Sequence, residues 1–175
     1  MASFFGHAMF ALGIGFAFKE RLWAIIGLGV LCTLIPDADV IGYYLGVPYG
    51  AFWGHRGFTH SIVFALFFSV LLSFLFARKG EKRSVVFSYW FYFFACTMSH
   101  SLLDAMTTGG KGVAFFSPFD NNRYFLPWRP IQVSPMGISK FFSEWGLRVI
   151  KSELFWIGMP SFMIGLMFYL KRKIK

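Results

Sequence analysis

Long apolar stretches separated by short basic clusters set the pattern of this chain. Five apolar runs stand out, at 1–18, 22–46, 61–77, 84–106 and 154–170. A helix that crosses a bilayer needs roughly 20 mostly apolar residues. The pattern therefore predicts an all-α, polytopic helical membrane protein with about five spans, folded as a single membrane-embedded domain over 1–175. Run one is the shortest fit, since 18 residues rise about 27 Å as a helix. In run two, Pro36 removes a ladder N–H and disfavours helix at the residue before it. That predicts a helix to about Ile35 and irregular backbone at Asp37 and Asp39. Segment 107–153 is polar enough to lie outside the spans. Within it, Ser134-Pro135 reads as an N-cap and first-turn proline. Ile138, Phe141, Phe142, Trp145 and Val149 then recur at helical spacing, with Lys140, Glu144, Arg148 and Lys151 largely elsewhere on the wheel. An amphipathic helix over 135–151 is expected, lying either in the membrane interface or as a lid on the bundle.

Composition sharpens the class. Hydrophobic residues make up 57% and charged residues 14%, a balance foreign to an ordinary soluble domain. A tightly packed apolar soluble oligomer is the alternative. The net charge of +9 does not imply nucleic acid as a partner, because the basic residues sit in clusters beside apolar runs and read as topology signals. Lys19-Glu20-Arg21, the 78–83 turn and Lys171-Arg172-Lys173 with Lys175 fall on one side of a five-span chain, the expected cytoplasmic face. Segment 107–153 carries basic residues too, but it is long, and the rule is weaker there. The N-terminal run lacks a preceding positive charge and is not expected to be a signal peptide. Cys32 and Cys96 lie within apolar runs, so neither a disulfide nor a zinc–thiolate site is expected.

The candidate chemistry lies at one depth. Counted outward from the basic turns, His60 and His100 sit roughly 26 Å away, Asp37 roughly 24 Å and His7 roughly 18 Å. His55 precedes run three on the same side. His100 and Asp104 are four apart and share a helix face. Ionisable groups inside spans cost about 2.5–3.5 kcal/mol each on the insertion scale, so several of metal-ligand type at one level point to one centre. Each alone has a plainer reading, such as a helix cap or a hydrogen-bonded pair. The candidate ligands are His7, Asp37, Asp39, His55, His60, His100 and Asp104. Imidazole and carboxylate without thiolate suit zinc first, with manganese or iron as alternatives. Seven ligands would serve one ion with supporting groups, or two ions.

HRGFTHS at 55–61, SHSLLDAMTTGGKGV at 99–113 and SPFDNNRYFLPWRPIQVSPMG at 117–137 resemble the YdjM family of bacterial inner-membrane proteins, described as metal-dependent hydrolases. His7 and the PDAD stretch at 36–39 match the early part of that pattern. The family is in turn similar to zinc-dependent phospholipase C, whose ligands follow the chain order His, Asp, His and H-x-x-x-D. The resemblance implies that order for His7, Asp37 or Asp39, His55 or His60, and His100 with Asp104. The chain has no histidine after His100, so the later ligands of those soluble enzymes have no counterpart.

Together these readings give a membrane-embedded, metal-dependent hydrolase acting on a phosphoester, with a lipid headgroup as substrate. The site is expected near the extracytoplasmic face of the inner membrane. Arg56, Arg123 and Arg129 are candidate phosphate clamps. Asp39 or Asp104 is the candidate general base. Thr59, Thr107 and Thr108 are candidate orienting groups, though each reads more simply as a cap or turn residue. A metal transporter or sensor, and a non-catalytic regulator with a structural metal site, are the alternatives. A transporter should carry polar groups at successive depths, which these runs lack.

Overall fold

Pro36 does interrupt run two, and the interruption shapes the molecule. The computed structural model describes residues 1–135 and 141–174. Helix α1 spans Phe4–Gly15 and starts at Ser3, whose hydroxyl accepts the Gly6 N–H. Helix α2 spans Leu22–Leu34 and passes at Pro36 into a 3-10 turn, Ile35–Asp39, then into the short helix α3, Val40–Tyr44. A loop and a second 3-10 turn, Phe58–His60, lead to α4 at Ile62–Phe76, capped by Ser61 through the Phe64 N–H. Helix α5 spans Arg83–Ala105. The segment after it forms no strand among the described residues, only two isolated bridges, Thr107 with Ile131 and Val113 with Tyr124. Helix α6, Glu144–Glu153, continues through a π-turn, Leu154–Gly158, into α7, Met159–Lys173. Pro160 has no N–H for the carbonyl four residues back, which falls inside that π-turn.

Two expectations change. The amphipathic helix does not run unbroken over 135–151: Ser143 is extended and α6 begins at Glu144, while 136–140 lie outside the described residues. Nor does α6 stop before the last apolar run. It continues into it through the π-turn, so that Glu144–Lys173 is one helical stretch. Among the described residues, Leu22–Tyr44 and Glu144–Lys173 are the two helices long and apolar enough to cross a membrane, and Phe4–Gly15 and Ile62–Phe76 are shorter apolar helices.

The bundle is apolar on its outer faces and polar within. Phe67, Phe74 and Leu75 on α4 and Phe162 and Met163 on α7 are exposed, whereas His7, His60, His100 and Asp104 are buried. A core of Ala11, Ile25, Cys32, Tyr89, Tyr92, Phe93 and Cys96 joins α1, α2 and α5, with both cysteines as free thiols. Tyr92 lies over Gly29, where a Cβ would run into its ring, and its hydroxyl donates to the Ala11 carbonyl at 2.9 Å. Gly13 and Gly165 let α1 and α7 approach at backbone distance, a device common between membrane helices.

The basic clusters meet at one end. Arg21 donates to the Phe76 carbonyl at 2.8 Å and lies 3.8 Å from Glu81, and Arg172 donates to the Phe18 carbonyl at 3.0 Å. The histidines and aspartates are on the opposite helix ends.

Candidate metal centre

His100 and His60 set the geometry. His100 rides the last turns of α5, and its Nδ1 lies 2.6 Å from the Thr33 carbonyl, near the point where Pro36 ends α2. A carbonyl can only accept, so Nδ1 carries the proton and Nε2 is left as a lone pair. His60 lies in the turn ahead of α4. Its Nδ1 is 3.1 Å from Thr59 Oγ1 and 3.2 Å from Asp39 Oδ2. The Thr59 hydroxyl is committed as donor to Asp39 Oδ2 at 2.8 Å, so it accepts from His60 Nδ1–H. Two Nε2 atoms therefore face each other at 3.0 Å. Unless a proton or a metal cation sits between them, two lone pairs oppose.

A metal fits this gap. Nitrogen ligands about 2.0–2.1 Å from a tetrahedral ion stand roughly 3.3 Å apart, close to the observed separation. Asp37 Oδ1 lies 3.4 Å from His100 Nε2 and 3.7 Å from His60 Nε2, with no hydrogen-bond partner. Asp104 Oδ2 is 4.0 Å from His100 Nε2. Ligand atoms of Asp37, His60, His100 and Asp104 all lie within 4.8 Å of one another, as do those of Asp39, His55 and His60. Buried polar atoms are normally satisfied. Here Asp37 Oδ1 and both His7 nitrogens lack hydrogen-bond partners, which is what a cation or ordered water would supply, whereas Asp104 Oδ2 has a guanidinium beside it.

The other predicted residues take distinct places. Asp39 sits behind His60: its oxygens take the His55 ring at 2.8 Å, the Arg56 amide at 3.1 Å and the Thr59 hydroxyl. This is the carboxylate–histidine arrangement that orients a ligand and raises its basicity. Burial alone would push the His60 pKa down, but Asp37 and Asp39 outweigh it and raise it to about 9. His7 stacks on His100 with ring centres 4.0 Å apart, and its Nε2 is 3.5 Å from Asp104 Oδ1. It borders the quartet from the Asp104 side.

Arg56 adopts a left-handed backbone, with φ of 63°. That turn sends its amide to Asp39 and its side chain to Asp104, with Nε and Oδ2 2.9 Å apart. The rest of the guanidinium meets the Gly109 carbonyl and Thr107 hydroxyl. Arg123 donates to the carbonyls of Tyr49, Ala51 and His55, so it folds the 49–55 loop back over the site. Arg129 is exposed above the Phe125 ring. Thr108 accepts the Val133 N–H.

The centre is closed on most sides. Asp37 and His55 keep 17% and 11% side-chain exposure, against 0–2% for the other ligand candidates. Tyr49 stands edge-on to His55 at 5.4 Å, and the exposed Lys111 ammonium is 5.3 Å from the Tyr49 ring. Tyr49 and Glu153, which enters below, carried no motif. The signal for Glu153 was its being a lone carboxylate at the edge of an apolar run.

The sequence pattern described as YdjM inner membrane protein matches residues 1–174. The chain is similar to inner membrane protein YbcI of Escherichia coli (strain K12), with 38% identity over 162 residues, 93% of this chain and 92% of that protein. No solved structure matches it.

Proposed function

The chain belongs to the YdjM inner membrane protein family, and from that premise we propose a polytopic membrane protein whose metal centre hydrolyses a phosphoester, with a lipid headgroup as the substrate class. The observation that carries this reading is the approach of His60 Nε2 and His100 Nε2 to 3.0 Å, a gap for a proton or a cation, beside the bare Asp37 Oδ1. In this reading α1, α2 with α3, α4, α5, and α6 with α7 make five passes. The basic end faces the cytoplasm, and the centre lies near the outer interface where headgroups sit.

His60, His100, Asp37 and Asp104 would hold the ion, zinc first by donor type. A bound divalent ion would supply Lewis acidity toward a phosphoryl oxygen and make water a nucleophile at neutral pH. Asp39 acts through His60 and His55 and is not itself the base, because its oxygens are already engaged. His55 takes the proton-accepting role. Its Nδ1–H is held by Asp39, which leaves Nε2 as a lone pair on a ring that keeps 11% exposure. Arg56 holds Asp104 and Arg123 holds the 49–55 loop, so among the described residues the exposed Lys111, beside Tyr49, is the cation assigned to a phosphate. A transport path has no support in the helices below: the buried Ser69, Ser73 and Thr97 hydroxyls bond their own helix carbonyls.

The test is metal content of detergent-purified protein by mass spectrometry, followed by release of phosphate or headgroup from phospholipids and isoprenyl phosphates. One or two equivalents of metal are expected, lost in His60→Ala and His100→Ala. His55→Ala should keep the metal and lose turnover. No bound metal after metal-replete purification would overturn the reading. Bound metal with no turnover on any of these lipids would leave the structural-site alternative.

A further inference from the structure

Glu153 is a buried carboxylate that the proposed chemistry does not use. It is the last residue of α6, immediately before the π-turn, in a helix long and apolar enough to cross a membrane. Its exposure is 1%. An ionisable group in such a place is costly and marks function unless its bonds are structural, and π-turns recur at functional sites.

We infer that Glu153 is a positioning residue for the metal centre, holding His7 and Asp104 in register through the Ala2-Ser3 peptide. The Ser3 amide donates to one Glu153 oxygen and the Ser3 hydroxyl to the other. The preceding amide, Ala2 N–H, donates to Asp104 Oδ1 at 2.9 Å. Two consecutive amides therefore hang between a carboxylate in the centre and one outside it. The Ser3 carbonyl then accepts the His7 N–H at 3.1 Å, so the residue clamped by Glu153 starts the helical turn that carries His7. Gly6 makes room: a Cβ there would come within 2.9 Å of the Glu153 carboxyl carbon. The last helix is thereby tied to the side of the centre where His7 stacks on His100.

The inference rests on the metal reading for its affinity readout and on His7 alone for a second readout. Full-length Glu153→Gln, Glu153→Ala and Ser3→Ala are made in wild-type and His7→Ala backgrounds, and Co²⁺ affinity and visible absorption are measured in detergent. Loss of a group that orients metal ligands typically weakens binding 10–100-fold. That loss is expected for Glu153→Ala, smaller for Glu153→Gln, with an altered Co²⁺ spectrum. It should shrink in the His7→Ala background, because residues acting through one another are not additive. Nitrogen NMR of histidine-labelled, metal-free protein gives the second readout, a displaced His7 ring resonance in Glu153→Ala and Ser3→Ala. Wild-type Co²⁺ affinity in Glu153→Ala, or a His7 resonance unmoved in both variants, would overturn the inference. Should the wild type bind no Co²⁺, the metal reading falls, and an unmoved His7 resonance would overturn the positioning role as well.

Discussion

Replacing Arg56 by methionine isolates the ion pair that closes the centre. Arg56 Nε and Asp104 Oδ2 are 2.9 Å apart, with side chains 1% and 0% exposed. Removing one partner of such a pair strands the other charge, at a cost of about 3–5 kcal/mol. The hydrogen bonds to Gly109 and Thr107 are lost too, at about 0.5–1.5 kcal/mol each. At roughly 2–4 °C per kcal/mol for a domain of this size, the ion pair alone corresponds to a fall of roughly 6–20 °C in apparent Tm. The assay is thermal unfolding in detergent followed by tryptophan fluorescence, with chelator and with saturating Zn²⁺. A divalent ion near Asp104 replaces part of the missing charge, so the fall should be smaller with metal. The double variant Arg56→Met, Asp104→Asn should recover much of the loss in chelator, because an amide can still accept the Ala2 N–H and no charge is stranded. A fall under about 3 °C in chelator, or a double variant as unstable as the single, would refute this account.

Three further outcomes follow from the same contacts. Thr59→Val deletes the hydroxyl between Asp39 and His60 and should weaken metal binding 10–100-fold without emptying the site; unchanged affinity by chelator competition would remove Thr59 from it. The His60 pKa is raised from 6.5 to about 9, so its protonation stabilises the metal-free fold below pH 6.5, and that contribution is lost as pH rises through 9. Metal must displace this proton, so affinity should improve about tenfold per pH unit across that window for one proton released; titration at several pH values checks it, and a flat profile would contradict it. Gly29→Ala pushes a methyl into the Tyr92 ring and should cost about 1–3 kcal/mol by overpacking with metal affinity intact, whereas Gly27→Ala, which meets nothing within 4 Å, should leave Tm near wild type.

Depth was legible in the sequence where direction was not. Helical rise is uniform, so counting from the basic turns put His60, His100 and Asp37 at one level, and they do converge. Pro36 announced the break that turns Asp37 and Asp39 out of α-helical register. The arginines were harder. Arg56 and Arg123 lie at the same end as the histidines, but their partners are set by loop closure: a left-handed turn aims Arg56 at Asp104, and three carbonyls of the 49–55 loop take up Arg123. Contacts across 48 to 74 residues leave no local pattern. The join of α6 to α7 was hidden for a different reason. Periodicity changes from amphipathic to uniformly apolar at Leu154, which reads as a boundary, yet the backbone marks that point with a π-turn and stays helical through it.

Asp37 and Asp39 show why composition could name this site without ordering it. Two residues apart, they point in different directions, and both reach the centre only because one ring stands between them. His60 turns Nε2 toward Asp37, 3.7 Å away, and Nδ1 toward Asp39, 3.2 Å away. The two carboxylates are thus unequal. Asp37 has a bare oxygen beside both imidazole Nε2 atoms, while Asp39 is saturated by donors from the 55–59 loop. In the order HRGFTHS, His55, Arg56 and Thr59 bond Asp39 and the His60 ring lies 3.2 Å from it, so one carboxylate on the broken helix gathers the whole loop. The loop's polar residues are dense because they fold around Asp39, and that packing presents His60 to the centre.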